Sequence, residues 1–244
     1  MLEDVIDFVI SREAGCALHS DATTSCWMLG EQPMRASLTE HSPGLEQPVQ
    51  LAFAEGRCVR TRSGELWCEE WRSWYFRAPF VDEPELRRVE QAKDVIDVDV
   101  SHSHRCWIEA DGELWCQGRN GFGQLGTGGS DPTEDPVLVP LPGRARALAI
   151  SGSQSCALVD EELWCWGTQF NHSGAPRDSA SFELDAHELM LTDDLSCALV
   201  SDGGLRCWGS EYFLYGMGEL SARAHRVRSS RYARSSTTMN AVCC

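Results

Sequence analysis

Short runs in which apolar residues alternate with polar ones recur along the chain, and several of them break at an Asp or Gly turn. Alternation with a period of two sends successive side chains to opposite faces of a strand, so each run predicts a β-strand and each break a hairpin. The clearest case is Arg105 to Gly118, RCWIEADGELWCQG, with Asp111-Gly112 at its centre. Ser155 to Gly167 (SCALVDEELWCWG) and Ser196 to Gly209 (SCALVSDGGLRCWG) repeat it, the latter turning at Asp202-Gly203. Asp-Gly between two alternating runs is a strong short-range hairpin signal. Ahead of each hairpin lies another apolar stretch: Val5 to Ile10, Val49 to Phe53, Val95 to Val100, Ala145 to Ile150 and Leu189 to Leu191. These predict a preceding strand. Polar, Gly- and Pro-containing stretches such as Gly126 to Pro136 predict the connections between units. Within Arg105 to Gly118, Cys106, Ile108, Leu114 and Cys116 share one face and Trp107 and Trp115 the other. Both faces are largely apolar, as in a sheet with neighbours on both sides.

Cysteines mark the period. They form five pairs, Cys16 with Cys26, Cys58 with Cys68, Cys106 with Cys116, Cys156 with Cys165 and Cys197 with Cys207, separated by 10, 10, 10, 9 and 10 residues. Successive first cysteines are 42, 48, 50 and 41 residues apart, the length of one propeller blade. Cys106 and Cys116 are symmetric about Asp111, and the shorter fourth pair is symmetric about Asp160-Glu161, so the deletion falls at the turn. Such symmetry predicts that the cysteines face each other across the hairpin. Opposed residues of an antiparallel pair are about 4.5 or 5.5 Å apart at Cα, within disulfide reach. Each bridge would close a loop of roughly ten residues and contribute about 2 to 3 kcal/mol in the chain-entropy model. Zinc binding by such thiols, and reduced cysteines packed as small apolar residues, are the alternatives.

With 244 residues, 42% of them apolar, and 9 Trp, the chain is long enough to bury a core, and no uninterrupted apolar run approaches a membrane span. Its formal charge is −16, from 37 acidic and 21 basic residues. That sign disfavours nucleic acid and anionic membrane as partners. Ser221 to Cys244 differs from the rest, with five Arg (Arg223, Arg226, Arg228, Arg231 and Arg234) and no acid. This segment reads as a basic tail or a degenerate sixth repeat. Met1-Leu2-Glu3-Asp4 has no basic stretch leading into an apolar one, hence no secretory signal, whereas twelve evenly spaced cysteines predict an oxidising, extracellular or cell-envelope location. The two are reconciled if the chain is a fragment, or begins inside a longer exported protein.

After Leu114-Trp115-Cys116 comes Gly118 to Gly128, GRNGFGQLGTG, which resembles the signature of the regulator of chromosome condensation repeat family through Gly118, Asn120, Gly123, Gln124, Leu125, Gly126 and Gly128. The fourth unit keeps Trp166-Gly167, Asn171 and Gly174, and the fifth Trp208-Gly209 and Gly216-Met217-Gly218. The first two keep mainly the cysteine hairpin, as Cys16-Ala17-Leu18 with Cys26-Trp27 and as Gly64 to Cys68. The paired cysteines resemble bacterial members, in which Cys-Ala-Leu and Cys-Trp-Gly recur. The resemblance implies an all-β fold, a β-propeller of about five recognisable four-stranded blades over residues 1–220, in units of about 4–45, 46–92, 93–143, 144–185 and 186–220. Family propellers usually have seven blades, so five units imply a partial or truncated propeller, a partner copy, or a tighter ring. Self-association follows if the propeller is incomplete. The vicinal Cys243 and Cys244 are read as free or intermolecular.

Such a propeller implies noncatalytic binding of a partner protein through blade-connecting loops. Family members resembling this design include inhibitors of secreted hydrolases such as β-lactamases. The other readings are a structural segment of a larger repeat protein, guanine nucleotide exchange, and a carbohydrate-active propeller. Ala110 to Trp115 and Ser201 to Leu205 resemble the Asp-box of neuraminidases, a structural turn, and Tyr75, Tyr212, Tyr215 and Tyr232 stand in no recognised motif. H-E-x-x-H, G-x-S-x-G and phosphate-loop patterns are absent. No catalytic, cofactor or metal residue is nominated. His102-Ser103-His104 reads as exposed loop, and Asp131 to Asp135 as a solvated connector without a calcium-loop pattern. Trp27, Trp67, Trp115, Trp164, Trp166 and Trp208 adjoin the second cysteines and read as core or interblade packing. Trp71, Trp74, Tyr75 and Phe76 read as an exposed aromatic patch, and no loop position ranks as a binding hot spot.

Overall fold

The protein is described from a computed structural model, which covers residues 4–10, 14–28, 34–54, 56–69, 85–167, 177–178, 186–192, 195–201, 204–209 and 225–228. Among the described residues, five antiparallel four-stranded sheets follow one another, each a meander whose strands are neighbours in chain order. The first holds β1 (Val5–Ile10), β2 (Ala14–His19), β3 (Thr23–Met28) and β4 (Met34–Ser37), followed by one helical turn, α1 (Leu38–His41). The second holds β5 (Pro48–Phe53), β6 (Arg57–Thr61), β7 (Leu66–Glu69) and β8 (Leu86–Arg88). The third holds β9 (Val95–Val100), β10 (His104–Glu109), β11 (Leu114–Gly118) and β12 (Thr133–Leu138). The fourth holds β13 (Ala145–Ser151), β14 (Gln154–Val159), β15 (Glu162–Gly167) and β16 (Arg177–Asp178). The fifth holds β17 (Ala186–Leu191), β18 (Leu195–Val200), β19 (Gly204–Gly209) and β20 (His225–Arg228).

Hairpin chemistry fixes the register. Between β10 and β11 the pairs run Cys106 with Cys116, Trp107 with Trp115 and Ile108 with Leu114. Glu109 N–H donates to Glu113 O, and Gly112 sits at φ 87°. This is a three-residue turn closed by a left-handed residue, which glycine adopts without a Cβ penalty. Between β14 and β15, one residue shorter, Val159 pairs with Glu162 and Asp160 takes the positive φ. The same cross-strand position brings the cysteines of all five pairs together, and the structure joins each as a disulfide with Cα atoms 4.0 to 4.1 Å apart. Cys243 and Cys244 lie outside the described residues.

Two boundaries differ from the sequence reading. Residues 225–228, within the stretch read as a basic tail or a degenerate sixth repeat, pair with β19 as the fourth strand of the fifth sheet. Their charged residues carry no apolar alternation that would mark a strand in the sequence. The connector around Asp131 to Pro136 likewise contributes β12, whose outer position accommodates Pro136.

First strands of consecutive sheets lie side by side, β1 with β5, β5 with β9, β9 with β13 and β13 with β17. Each seam has its own core, built from a forward face and a back face. The forward face of the first sheet offers Val9, Cys16, Leu18 and Cys26 to Leu51, Phe53, Val59 and Trp67 on the back face of the second. The second offers Ala52, Cys58 and Cys68 to Val98, Val100 and Trp107. The third offers Cys106, Ile108 and Cys116 to Leu148, Ile150, Ala157 and Trp166. The fourth offers Cys156, Leu158 and Cys165 to Leu189, Leu191 and Ala198. Every disulfide therefore lies on a forward face. Of the tryptophans beside the second cysteines, Trp67 and Trp166 are buried in these seams and Trp27, Trp115 and Trp164 are half-buried; Trp107, after the first cysteine of its pair, is also buried. The side chain of Trp208 lies outside the described residues.

Candidate functional site

Two groups of polar side chains stand out, one under the signature loop and one on the inner strands. The loop follows β11. Asn120, 1% exposed, accepts from Leu125 N–H at 2.9 Å and donates to Thr127 Oγ1 and Gly129 O. Gln124, also 1% exposed, accepts from Phe122 N–H at 3.0 Å and donates to Ser103 Oγ. The Gln124 carbonyl accepts from Trp166 Nε1 and Ser155 Oγ, both at 2.8 Å, which ties the loop to the fourth sheet. Leu125 is fully buried in the same seam. A Cβ at Gly126, where φ is 71°, would lie 2.8 Å from Val139 Cγ1 and 2.9 Å from Trp166 Nε1. A Cβ at Gly118 would strike the Ser103 carbonyl. The polar and glycine positions of the signature thus shape and anchor the loop.

His104 corrects the exposed-loop reading of His102-Ser103-His104. Its side chain is fully buried, with Nε2 2.7 Å from Ser155 Oγ and Nδ1 near Ser101 Oγ and Ser103 Oγ. Burial, with a smaller effect of the neighbouring His102, pulls its pKa down to about 3 and keeps the ring neutral. His102 itself is exposed. Local sequence could not reveal this, because the fourth sheet supplies the cover.

The loop presents one large apolar side chain to solvent. Phe122, flanked by Gly121 and Gly123, is 49% exposed although its neighbours Asn120, Gln124 and Leu125 are buried. An aromatic between two glycines in GFG was the available sequence signal. The patch read at Trp71, Trp74, Tyr75 and Phe76 lies outside the described residues, as do Tyr212, Tyr215, Tyr232, Asn171, Gly174, Gly216 to Gly218 and the Asp202-Gly203 turn.

The inner strands carry carboxylates that the sequence reading passed over. Each first strand has a free edge, and its outward N–H groups need acceptors. Asp7 Oδ2 accepts from Leu51 N–H at 2.7 Å, Asp97 Oδ2 from Leu148 N–H at 3.1 Å and Asp99 Oδ2 from Ile150 N–H at 2.8 Å. In each case a carboxylate of one sheet caps the edge of the next. Between the second and third sheets Gln50 Nε2 donates to Asp97 Oδ1 and accepts at Oε1 from Arg60 Nε. Burial pushes Asp99 up to about 7 and Asp7 up to about 6, against the backbone N–H bonds that favour the charged forms. Burial also pushes Asp97 up, and Glu188 on β17 adds a like charge near Asp7. The spacing that reveals these residues is visible only once the five first strands are side by side.

Glu109, Asp111 and Glu113 cluster at the third hairpin, with ligand atoms within 4.8 Å of one another. Glu109 Oε1 accepts from Lys93 N–H and Trp107 Nε1, and Asp111 Oδ1 accepts from Glu113 N–H within the turn, so two of the three carboxylates already accept hydrogen bonds. Asp131, Glu134 and Asp135 are exposed along the connector and outer strand.

Comparison with known proteins agrees with this geometry. Residues 111–159 match the regulator of chromosome condensation (RCC1) repeat. No curated protein matches the chain significantly in sequence. Among solved structures, Prp20p from Saccharomyces cerevisiae is similar with TM-score 0.69 and 16% identity, over 93% of this chain and 64% of that one. Human WBSCR16 is similar with TM-score 0.69 and 15% identity, over 93% of this chain and 68% of that one. The WD40 β-propeller domain of Doa1 is more distant, with TM-score 0.51 and 9% identity over 93% of this chain and 69% of that one. The chain thus spans 64% of the length of Prp20p, and identities this low speak to the fold alone. Residues 111–159 are accordingly an RCC1 repeat, set in a chain with the RCC1-like β-propeller fold.

Proposed function

We propose that this protein is a noncatalytic scaffold that binds a partner protein through its sheet-connecting loops, in an extracellular or cell-envelope setting. The observation that carries the reading is Phe122: a side chain 49% exposed on a loop whose adjoining polar residues are buried and hydrogen-bonded. A rigidly held aromatic loses little conformational entropy on binding and buries a large area, the usual profile of an interface anchor. Five disulfides favour an oxidising compartment. The acidic surface, from a net charge of −16, favours a neutral or basic protein. Similar folds engage proteins: Prp20p is described by its binding properties to Gsp1p and histones, and yeast RCC1 is seen bound to Kap60.

The test places a photo-crosslinking residue at position 122 and, as control, at the exposed Leu138 on β12. The protein is incubated separately with secreted and cytosolic fractions of its source. The expected result is one discrete adduct from position 122 in the secreted fraction, competed by unlabelled protein and not by the Phe122→Asp variant. Identical adducts from both positions, or competition by both proteins, would refute recognition through this loop. A glycan array read in parallel separates protein binding from the carbohydrate alternative.

A further inference from the structure

The contacts around His104 set the direction of its hydrogen bonds. The Gln124 carbonyl can only accept, so the Ser155 hydroxyl donates to it at 2.8 Å. Ser155 Oγ then has no hydrogen left for the ring 2.7 Å away, and His104 Nε2 carries the proton and donates. Nδ1 of the neutral ring is therefore an acceptor. The Ser103 hydroxyl donates to the Gly152 carbonyl at 2.7 Å, which leaves the Ser101 hydroxyl, 2.9 Å from Nδ1, as its donor. The result is a directed chain, Ser101 to His104 to Ser155 to Gln124, that starts at the β9–β10 turn, passes through the fourth sheet and ends on the loop carrying Phe122.

The chain is sealed from water, its four residues being 0 to 5% exposed. The root of the loop lies directly on it, since a Cβ at Gly118 would be 2.8 Å from His104 Cα. Among the described residues, the elements packed around the ring offer no anion for a charged form. Asp97 and Asp99 of β9 have both oxygens occupied by N–H groups. On β10, Arg105 donates to Glu69 O of the second sheet and Glu109 accepts from Lys93 N–H. On β13, Arg146 donates to Asp160 O at the hairpin end, and β14 carries no charged residue. The loop adds Arg119, and the turn adds His102, whose charge opposes a second one on His104.

We propose that His104 is the positioning residue of this loop and that the chain through it is an acid-sensitive catch, which holds Phe122 on display while the ring is neutral and frees the loop when the ring is charged. Its role in regulation rests on the reading of Phe122 as a recognition residue, whereas the catch itself stands on the contacts above. Charging places a hydrogen on Nδ1, facing a hydroxyl that had been donating; the Ser101 hydrogen is turned off the ring, and a cation is sealed without a counter-charge. Once the loop leaves, the ring meets water and its pKa returns from about 3 to about 6.5. The seated loop is therefore fully stable above about pH 6.5 and weakens as pH falls towards 3, because the open form binds a proton that the seated form refuses. Between pH 8 and 5 the opening constant rises about thirtyfold. Asp99, raised to about 7, acts with the opposite sign, since it holds its proton more tightly when buried.

Hydrogen exchange read by mass spectrometry on the full chain with its disulfides intact, corrected for the intrinsic pH dependence of amide exchange, tests this without a partner. The N–H groups of Gly123, Leu125 and Gly126, which donate within the loop, report its opening, and the β10–β11 hairpin is the internal reference. The wild-type loop is expected to open about thirtyfold more at pH 5 than at pH 8 while the hairpin stays level. His104→Gln keeps an N–H for Ser155 and does not titrate, so its loop should stay protected and lose the pH dependence; His104→Ala should open equally at both pH values. A flat wild-type profile, a hairpin that opens in step with the loop, or a His104→Gln profile as steep as the wild type would overturn the catch. If neither variant folds, the wild-type profile decides alone. Photo-adducts at position 122, recorded at the same two pH values, separate this proposal from loop recognition. A steep exchange profile without a specific adduct at pH 8 refutes recognition and leaves the catch, and a flat profile with a persisting adduct refutes the catch alone.

Discussion

Replacing Cys106 and Cys116 together by alanine separates the two contributions a buried disulfide makes. The bridge closes a loop with a sequence separation of 10, and both sulfurs are fully buried under the fourth sheet. For a loop of that size the chain-entropy model gives about 2.7 kcal/mol of stabilisation through the unfolded state. Loss of two sulfur atoms from a packed seam costs about 1 kcal/mol each. Under oxidising conditions the double variant should therefore be destabilised by about 4 to 5 kcal/mol. For a protein of this length each kcal/mol lowers Tm by about 2 to 4 °C, so the shift is roughly 8 to 20 °C. With reductant present, complete reduction being verified by alkylation and intact mass, the reference protein has lost its cross-links as well. The difference should then shrink to the packing contribution of about 2 kcal/mol. Calorimetric scans of both proteins in both conditions give the four numbers needed. An equal Tm loss with and without reductant would show that these cysteines act by packing alone, and the entropic argument would fail.

Three further outcomes follow from the same geometry. Native-state reduction followed by differential alkylation should open Cys197–Cys207 before the others, since these residues are 8% and 6% exposed against 0% for Cys106, Cys116, Cys156 and Cys165; simultaneous opening would argue against control by local exposure. Asp99, raised to about 7, binds a proton in the folded protein that the unfolded chain releases near pH 4, so its contribution to stability is present at low pH and falls as pH rises from about 4 to 7. Asp99→Asn should remove on the order of 2 kcal/mol of that slope in denaturant titrations between pH 5 and 8, and an unchanged slope would assign the effect elsewhere. Gly126→Ala should destabilise by about 1 to 3 kcal/mol, because it combines a positive φ with a Cβ 2.8 Å from Val139, whereas Gly128→Ala, with open space around it, should pay only the conformational cost of about 1 kcal/mol.

The hairpins were legible because their signal is local. Alternation about Asp111-Gly112 determines which residues face each other, and once Cys106 opposes Cys116 the remaining pairs follow within the same strands. Outer strands carried no such signal. Thr133–Leu138 (TEDPVL) and His225–Arg228 (HRVR) lack clean apolar alternation, and Arg177–Asp178 is two residues long. The buried polar groups were hidden for a different reason. Nothing near His104 in sequence tells that Ser155, 51 residues later, will supply its partner. Asp97 and Asp99 alternate with Ile96, Val98 and Val100 as though they lined a wet face; their N–H partners, Leu148 and Ile150, lie 51 residues ahead. Those contacts are legible only at the period of the repeat, and only after the first strands have been set side by side.

The position of the disulfides bears on how such a fold carries a binding surface. Each sheet is four short strands and holds its neighbours through a narrow seam, in one case largely of alanine and leucine: Ala147, Ala149, Ala186, Ala198, Leu158, Leu163, Leu189 and Leu191. A seam of small residues contributes little per contact and depends on both faces keeping their register. A covalent link between the two central strands, on the face that meets the next sheet, fixes that register independently of what the outer strand and loops contain. The second sheet differs at its polar positions: where the fourth sheet pairs Ser155 with Trp166 beside the cysteines, the second sets Arg57 against Glu69 in an ion pair at 2.6 Å. Cys58 faces Cys68 there as Cys156 faces Cys165 in the fourth sheet. Loop composition is thereby freed from the task of holding the sheet together, which is the condition under which one loop can display an aromatic such as Phe122 while its neighbours differ in length and chemistry.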